Sequence, residues 1–590
     1  MIALLRWAGS ILTGALNGLL KFAVAIAIVV FALVLIGLAG GDGLPSNMVL
    51  TLDLRQPMAD SAPSGFALGG QGVTVMDIVL GLDAAGRDKR VKGVFLRVGG
   101  ADLSVAQAEE IGAALKRFRA TGKFVIAHAQ DFEASGLGDY LAAAAADQIW
   151  MQPKSPFYAA GEGGGEFFLR GLLDKIQAEP QMAQRAEYKS AVDELTQTAM
   201  TDADHEQLTA LMQSWYDNAV AAAAQDRKLD QKAMIAAFEA SPQLTEDAQK
   251  RGLIDEIGYD DDAENAALRL AGADAKTVSI GQFARVKLAA TPPGPGPRIA
   301  LIEASGDIVD GSAGGGLFGA DRMIAGDDTA RAIRQATQDD NVKAIVLRVD
   351  SPGGSVTASD QILDAVKKAQ AVGKPVIVSM GAVAASGGYY IATSANRIVA
   401  EPGTLTGSIG VYSGKVAIGK SLGMIGVGVG EVSVGKNTLM NSGVTPYTDD
   451  QWKALNAEAD MVYADFKEKV SKGRKLSLDQ VQAVARGRVW SGADAKARGL
   501  VDQLGGFWTA VDLARKLGRL PSGERVVFER YPRRKGFWAA LSGLFGPSNE
   551  VRAIENFTTL MNAPVVQQAA TAVRAMPRSA IELRAVDLPQ

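Results

Sequence analysis

The stretch Val342-Lys343-Ala344-Ile345-Val346-Leu347-Arg348-Val349 has a near copy earlier in the chain. That copy is Val91-Lys92-Gly93-Val94-Phe95-Leu96-Arg97-Val98, at an offset of 342 − 91 = 251 residues. Gly373-Lys374 answers Gly122-Lys123 at the same offset, and Ala395-Asn396-Arg397-Ile398 answers Ala146-Asp147-Gln148-Ile149 at 249. Arg498-Gly499-Leu500-Val501-Asp502 answers Arg251-Gly252-Leu253-Ile254-Asp255 near the end of each unit. Several anchors in the same order make a long repeat, so the chain holds two copies of one domain. Between them Thr291-Pro-Pro-Gly-Pro-Gly-Pro297 has neither a helix nor a strand option and reads as a linker. The expected organisation is an anchor (1–44), a first domain (45–290), the linker (291–297), a second domain (298–530) and a tail (531–590). A chain of 590 residues is too long for one core, which fits that division.

Within each copy strand and helix patterns alternate. Residues 48–55 and 91–98 read as strands, 105–120 as a helix and 123–129 as a strand; after the linker, 298–304 restarts the pattern. Alternation at this spacing predicts an α/β fold, a mostly parallel sheet with helices on its faces. Residues 203–239, rich in Ala, Gln and Leu, read as one helical stretch. Residues 535–590 are weakly patterned and are expected to be a solvated tail, although Arg533-Arg534-Lys535 with Phe537 and Trp538 would suit a membrane surface.

Phe22 to Ala39 carries no charge and no proline and is long enough to cross a bilayer. Arg6 and Lys21 precede it and Asp42 follows, which puts the amino terminus in the cytoplasm and the bulk outside. The run exceeds the core of a usual signal peptide, so a retained anchor is expected.

A net charge of −4 gives no reason to invoke nucleic acid. The absence of cysteine removes thiol catalysis and cysteine metal sites. Only two histidines, His128 and His205, are present, so a Ser-His-Asp triad must use one of them and a histidine-rich metal site cannot be built. No metal and no cofactor is expected.

The chemistry is expected at Ala384-Ala385-Ser386-Gly387-Gly388. Pro375 to Met380 reads as a buried strand and Tyr389 to Ala392 as a helix, so Ser386 sits on the turn between them with the Gly387 amide beside it. A second loop, Asp350-Ser351-Pro352-Gly353-Gly354-Ser355, can aim backbone N–H groups at an anion. The repeat serves as an internal control. At the 249 offset Ser386 falls on Leu137, with Ser135 beside a two-residue insertion, and the double glycine of the second loop is lost from Gly99–Ser104. In reverse, Lys189 falls on Thr438, with Lys436 two positions away. One copy has a lysine, the other a serine with glycines, which is what a single shared site would leave. A serine hydroxyl needs a base, and a lysine supplies one when burial lowers its pKa from about 10.4. The N–H groups of Gly354 and Gly387 are the candidate oxyanion donors. His128, at a strand end, is the rival base and reads as structural; His205 reads as surface. The sequence allows Lys189 and Ser386 to meet within one chain or across two.

These residues resemble the signal peptide peptidase A (protease IV) family in its long two-domain bacterial form. The resemblance rests on Asp350–Gly354, Ala385–Tyr389, Leu405-Thr406-Gly407-Ser408-Ile409-Gly410, Tyr188-Lys189-Ser190-Ala191, and Gly487-Arg488-Val489-Trp490 leading to Gly499–Asp502. It implies two tandem ClpP/crotonase-like domains preceded by an N-terminal transmembrane helix. It further implies a Ser-Lys dyad with Ser386 as nucleophile and Lys189 as general base, and Ser408 orienting the lysine. The first copy has Ala159 where the second has Ser408. The implied enzyme is a homotetramer of the bacterial inner membrane, anchored in the bilayer through residues 22–39 and facing the periplasm. Its substrates would be cleaved signal peptides and other short hydrophobic peptides. On the same fold the alternatives are an acyl-CoA-binding crotonase-type enzyme and a catalytically inactive membrane scaffold.

Overall fold

A computed structural model describes residues 42–62, 72–100, 103–132, 137–289, 296–312, 323–521, 527–532 and 582–584. The apolar run 22–39 and most of the Pro/Gly linker lie outside the described residues. Among those described, no helix is long and apolar enough to cross a membrane.

Each copy builds a largely parallel sheet. In the first, the strand order is Glu256–Ile257, Gln148–Met151, Phe124–Ala129, Val91–Val98, Met48–Asp53, Lys276–Ser279, every pair parallel. In the second, Leu405–Gly407, Val376–Ala385, Val342–Ser351, Arg298–Ser305 and Phe528–Tyr531 lie side by side in parallel, with Val489–Ser491 antiparallel at the edge. Even the irregularities are shared. Register slips after Met48↔Val91 in one sheet and after Arg298↔Val342 in the other. Strands such as Val342–Ser351 are apolar on both faces because helices cover both faces of a parallel sheet.

The helix Val356–Ala371 begins where Ser355 Oγ accepts the Ala358 amide at 3.2 Å. Its counterpart Val105–Arg119 begins the same way at Ser104, which accepts from Gln107 N at 3.2 Å. A capping hydroxyl contributes about 1 kcal/mol at such a terminus. The expected single helix over 203–239 is two, Asp202–Arg227 and Gln231–Glu239. Lys228 takes a left-handed φ of 55° and Asp230 caps the second helix. No glycine or proline marks that break, so periodicity alone runs through it.

The copies are not beads on a string. One apolar cluster joins Leu50, Val94 and Ala127 of the first to Leu301, Val346 and Phe507 of the second. Each such fully buried Leu, Val or Phe side chain contributes roughly 1.5–3 kcal/mol of burial. A third sheet also crosses between them. Its order is Met323–Ala325, Asp307–Val309, Gly353–Ser355, Glu582–Arg584, Tyr412–Ala417, Glu179–Gln184. Glu179–Gln184 of the first copy pairs antiparallel with Tyr412–Ala417 of the second over six residues. Glu582–Arg584 belongs to the tail expected to be solvated, and it enters this sheet as a strand.

Candidate active site

A ten-residue strand at the centre of the second sheet, Val376–Ala385, delivers Ser386. Its early part pairs with Arg397–Ala400 and its end with Leu405–Gly407, so the end projects past its first neighbour. Ser386 then takes φ 52° and ψ −115°, a conformation that costs on the order of 1–3 kcal/mol for a residue with a side chain. Two backbone bonds hold it there: Ser386 N donates to Gly407 O at 2.9 Å, and its carbonyl accepts Tyr390 N at 2.8 Å. The helix Gly387–Ala392 follows at once. A Cβ added to Gly387 would lie 3.1 Å from Gly354 N, so the two glycine loops expected to supply amides abut one another. Gly354 has φ +140° and a Cβ there would lie 2.1 Å from Ile308 O, which reserves the position for glycine.

Lys189 reaches this point from the other copy, within the same chain. The cross-copy pairing of Glu179–Gln184 brings the segment over, and Tyr188 N donates to Arg486 O at 3.2 Å. Lys189 Nζ lies 2.9 Å from Ser386 Oγ, 2.9 Å from Ser408 Oγ and 3.3 Å from Ser408 O. Ser386 and Ser408 are fully buried and Lys189 is 1% exposed. Burial holds the Lys189 amine well below its ordinary pKa. A neutral amine in hydrogen-bond contact with a hydroxyl can take its proton, and abutting N–H groups can receive an oxyanion. Ser408 has a φ of 49°, and its N donates to Arg488 O at 2.8 Å.

The histidines lie elsewhere. His128 Nε2 is 3.2 Å from Gly258 O, with Nδ1 3.5 Å from Asp260 and burial lowering its pKa. It is tied to the first sheet as a structural residue. His205 is exposed. Lys436 is also exposed, paired with Asp450 at 2.7 Å. At the first copy's counterpart turn Leu137 is buried and opens the helix Leu137–Ala144; Ser135 lies outside the described residues. The surrounding framework persists. Tyr140 OH donates to Leu253 O at 3.0 Å, and Tyr389 OH to Leu500 O at 2.9 Å, again 389 − 140 = 249 residues apart.

Two residues that shape the site escaped sequence reasoning. Gln207 Nε2 donates to Tyr188 O at 3.1 Å and to Ser190 Oγ at 2.9 Å, while its Oε1 accepts Val489 N at 3.2 Å. It thus clamps the lysine loop to the second copy. Gly487, quoted only as part of a motif, lies against the lysine: a Cβ there would be 2.5 Å from Lys189 N and from Lys189 Cβ. Gly487→Ala is therefore expected to displace the amine and lower peptidase kcat about 10²-fold. Steady-state kinetics checks this, with circular dichroism confirming that the variant is folded.

A model of peptidase family S49 matches residues 117–274 and again 368–520, the two matches starting 368 − 117 = 251 residues apart. A model of Clp protease matches residues 325–402. The fold and these matches define a serine peptidase with a mixed α/β, ClpP-like architecture in tandem repeat. "Serine protease SPPA, chloroplastic" of Arabidopsis thaliana is 31% identical over 81% of this chain and 70% of its own length. "Protease 4" of Haemophilus influenzae is 33% identical over 75% of this chain and 73% of its own. "Putative signal peptide peptidase SppA" of Enterococcus faecium is 31% identical over 33% of this chain and 57% of its own. The chain belongs to peptidase family S49, the signal peptide peptidase A group.

Proposed function

We propose that the protein is a membrane-anchored serine endopeptidase that uses a Ser386–Lys189 dyad to degrade cleaved signal peptides and other short hydrophobic peptides. The observation that carries this reading is the buried 2.9 Å contact between Lys189 Nζ and Ser386 Oγ. Lys189 takes the hydroxyl proton as Ser386 Oγ attacks the scissile carbonyl. The oxyanion is received by the N–H groups of Gly354 and Gly387, each worth roughly 3 kcal/mol. As the tetrahedral intermediate collapses, the Lys189 ammonium gives its proton to the leaving amine and an acyl-enzyme remains. Water then attacks the ester with Lys189 again as base, releasing the acid. Ser408 orients the lysine through its hydroxyl.

Residues 22–39 anchor the chain in a bacterial inner membrane, with the amino terminus cytoplasmic, the bulk in the periplasm and the subunits assembled as a homotetramer. The signal-peptide substrate is supported by the name of the Enterococcus faecium relative, "Putative signal peptide peptidase SppA". The test uses the full chain in detergent. It is expected to cleave a hydrophobic peptide and to form a fluorophosphonate adduct on Ser386, located by mass spectrometry. An unlabelled Ser386, or saturable coenzyme A binding in place of peptide cleavage, overturns the reading.

A further inference from the structure

Gln207 clamps the lysine loop, and Asp204 holds Gln207. The Gln207 carboxamide has one orientation open to it: its Oε1 must face the Val489 N–H and its Nε2 the Tyr188 carbonyl. Nε2 also donates to Asp204 Oδ1 at 2.8 Å. Asp204 is fully buried, and its other oxygen, Oδ2, meets no N–H or O–H donor. The same holds for Glu166 Oε1. The two carboxyls face each other in hydrogen-bond contact. Two carboxylates have no donor between them, whereas a single proton makes one acid the donor and the other its acceptor. Asp204 lies in the first turn of Asp202–Arg227, where the helix N–H groups favour negative charge, so the proton belongs on Glu166. The other charged groups that act most strongly on Glu166 are also acids, Glu194 and Asp193, on the helix that follows the lysine loop. Leu169 N donates to Glu194 O at 2.6 Å and joins the Glu166 segment to that helix. The nearby cation Arg488 is engaged by Glu206 at 2.7 Å.

The second copy is again the control. Its helix Asp449–Arg474 matches Asp202–Arg227 at 448 − 201 = 247 between the capping threonines and 475 − 228 = 247 between the left-handed lysines that end them. At that offset Asp204 falls on Gln451 and Gln207 on Ala454. Gln451 Oε1 accepts Thr448 N at 3.0 Å and closes a capping box. In the first copy Thr201 Oγ still accepts Asp204 N at 3.2 Å, but the Asp204 carboxyl is turned to Gln207 and Glu166 instead. The acid and the clamp therefore occur only in the copy that carries the lysine. We propose that Asp204 and Glu166 share one proton and that this pair positions Lys189, by holding the Gln207 clamp on the lysine loop. Its effect on turnover rests on the peptidase reading; the hold on the loop does not. Burial, then Asp204, pushes Glu166 up to about 7 and Asp193 up to about 6. A folded value raised this way means that the proton stabilises the cluster, and that this support is lost as pH rises to about 7. Above that, like charges crowd one buried site, Asp204 is pushed off Glu166, and the clamp loosens.

Two variants of the full chain in detergent test this. Glu166→Gln carries an amide N–H where the shared proton would be and keeps it at every pH. The titration of Lys189 is common to both proteins and cancels in their ratio. The wild-type to Glu166→Gln ratio of kcat on a hydrophobic peptide is therefore expected to fall about 3- to 10-fold between pH 6 and pH 9. A ratio that stays level overturns the proposal. Asp204→Ala removes the acceptor for Gln207 and is expected to lower kcat about 10-fold at pH 6, with KM within about twofold of wild type. Full kcat in that variant also overturns it. An activity-independent readout uses the Ser386→Ala background. There, hydrogen-exchange protection of residues 187–192, corrected for the intrinsic rate, is expected to drop between pH 6 and pH 9 with Glu166 and to hold with Glu166→Gln. The same pH dependence in both overturns the proposal. If no protein cleaves peptide yet protection differs in this way, the peptidase reading fails and the hold on the loop stands.

Discussion

Methionine at Lys189 is expected to lower kcat on a hydrophobic peptide by 10⁴-fold or more, to within about tenfold of Ser386→Ala, and the double variant is expected to be no worse than either single one. The reason is geometric. Lys189 Nζ is the amine held at 2.9 Å from Ser386 Oγ, and in the proposed mechanism neither group is of use to the reaction without the other. Lys189→Arg tests whether the amine acts as a base or only as a donor. A guanidinium keeps positive charge and N–H groups but cannot lose its proton, so it is expected to be as inactive as methionine. The chain has no cysteine. Lys189→Cys therefore supplies a unique thiol, and aminoethylation of the unfolded chain followed by refolding rebuilds an amine at the same distance from the backbone. Activity is expected to recover about 10²-fold or more.

Burial lowers the Lys189 pKa, so kcat/KM rises with pH as the free enzyme's amine loses its proton. Stability obeys the same linkage. The unfolded chain binds this proton more tightly than the folded one, so wild type gains stability relative to Lys189→Met as pH rises toward about 10.4. Denaturant titrations of both proteins between pH 7 and 10 check the slope. A flat difference would place the ammonium, not the amine, in the folded site.

Much of this site was readable because the chain repeats. The copies are aligned by their strands, and the alignment exposes Ser386 against Leu137 and Lys189 against Thr438 without any structure. Lys189 and Ser386 are brought together by an antiparallel pair between copies, Glu179–Gln184 with Tyr412–Ala417, and no local pattern announces a partner 412 − 184 = 228 residues away. Gln207 was invisible for a related reason. It lies in a long helix between Glu206 and Leu208 and looks like an ordinary solvated glutamine, but Val489 of the other copy covers it. The repeat can also mislead. Arg97 and Arg348 are equivalent by offset. Arg97 is part-exposed and pairs with Asp260 and Glu264 of its own copy, whereas Arg348 is buried beneath the other copy. An alignment carries over position in a strand but not what packs on that strand's outer face.

Arg348→Met is expected to destabilise the protein by about 3–5 kcal/mol, because it strands buried carboxylates. Arg348 Nη2 lies 2.6 Å from Asp60 Oδ1, and Nη1 donates to Glu110 Oε2 at 2.8 Å; both acids come from the first copy and both are buried. Nη1 also donates to Ser379 Oγ at 2.9 Å and Met380 O at 3.0 Å, on the strand that ends at Ser386. One guanidinium thus joins the two copies to the nucleophile strand. More acids crowd around it. Burial, then the neighbouring Asp60, pushes Asp350 up to about 7, and burial, then Glu110, pushes Glu401 well above the usual carboxylate range. A folded pKa raised above the unfolded one contributes stability that is present at acid pH and lost as pH rises through the folded value. For Asp350 that loss begins near 3.8, the unfolded value, and is complete by about pH 7, so Asp350→Asn is expected to flatten the decline of wild-type stability from pH 5 to 7. Removing the Arg348 charge raises these carboxyl pKa values further, and protons then substitute for the missing cation. The Arg348→Met deficit should therefore be smaller at pH 5 than at pH 8, measured by denaturant unfolding at each pH. An equal deficit at both would mean that lost packing, not stranded charge, is what the substitution removes.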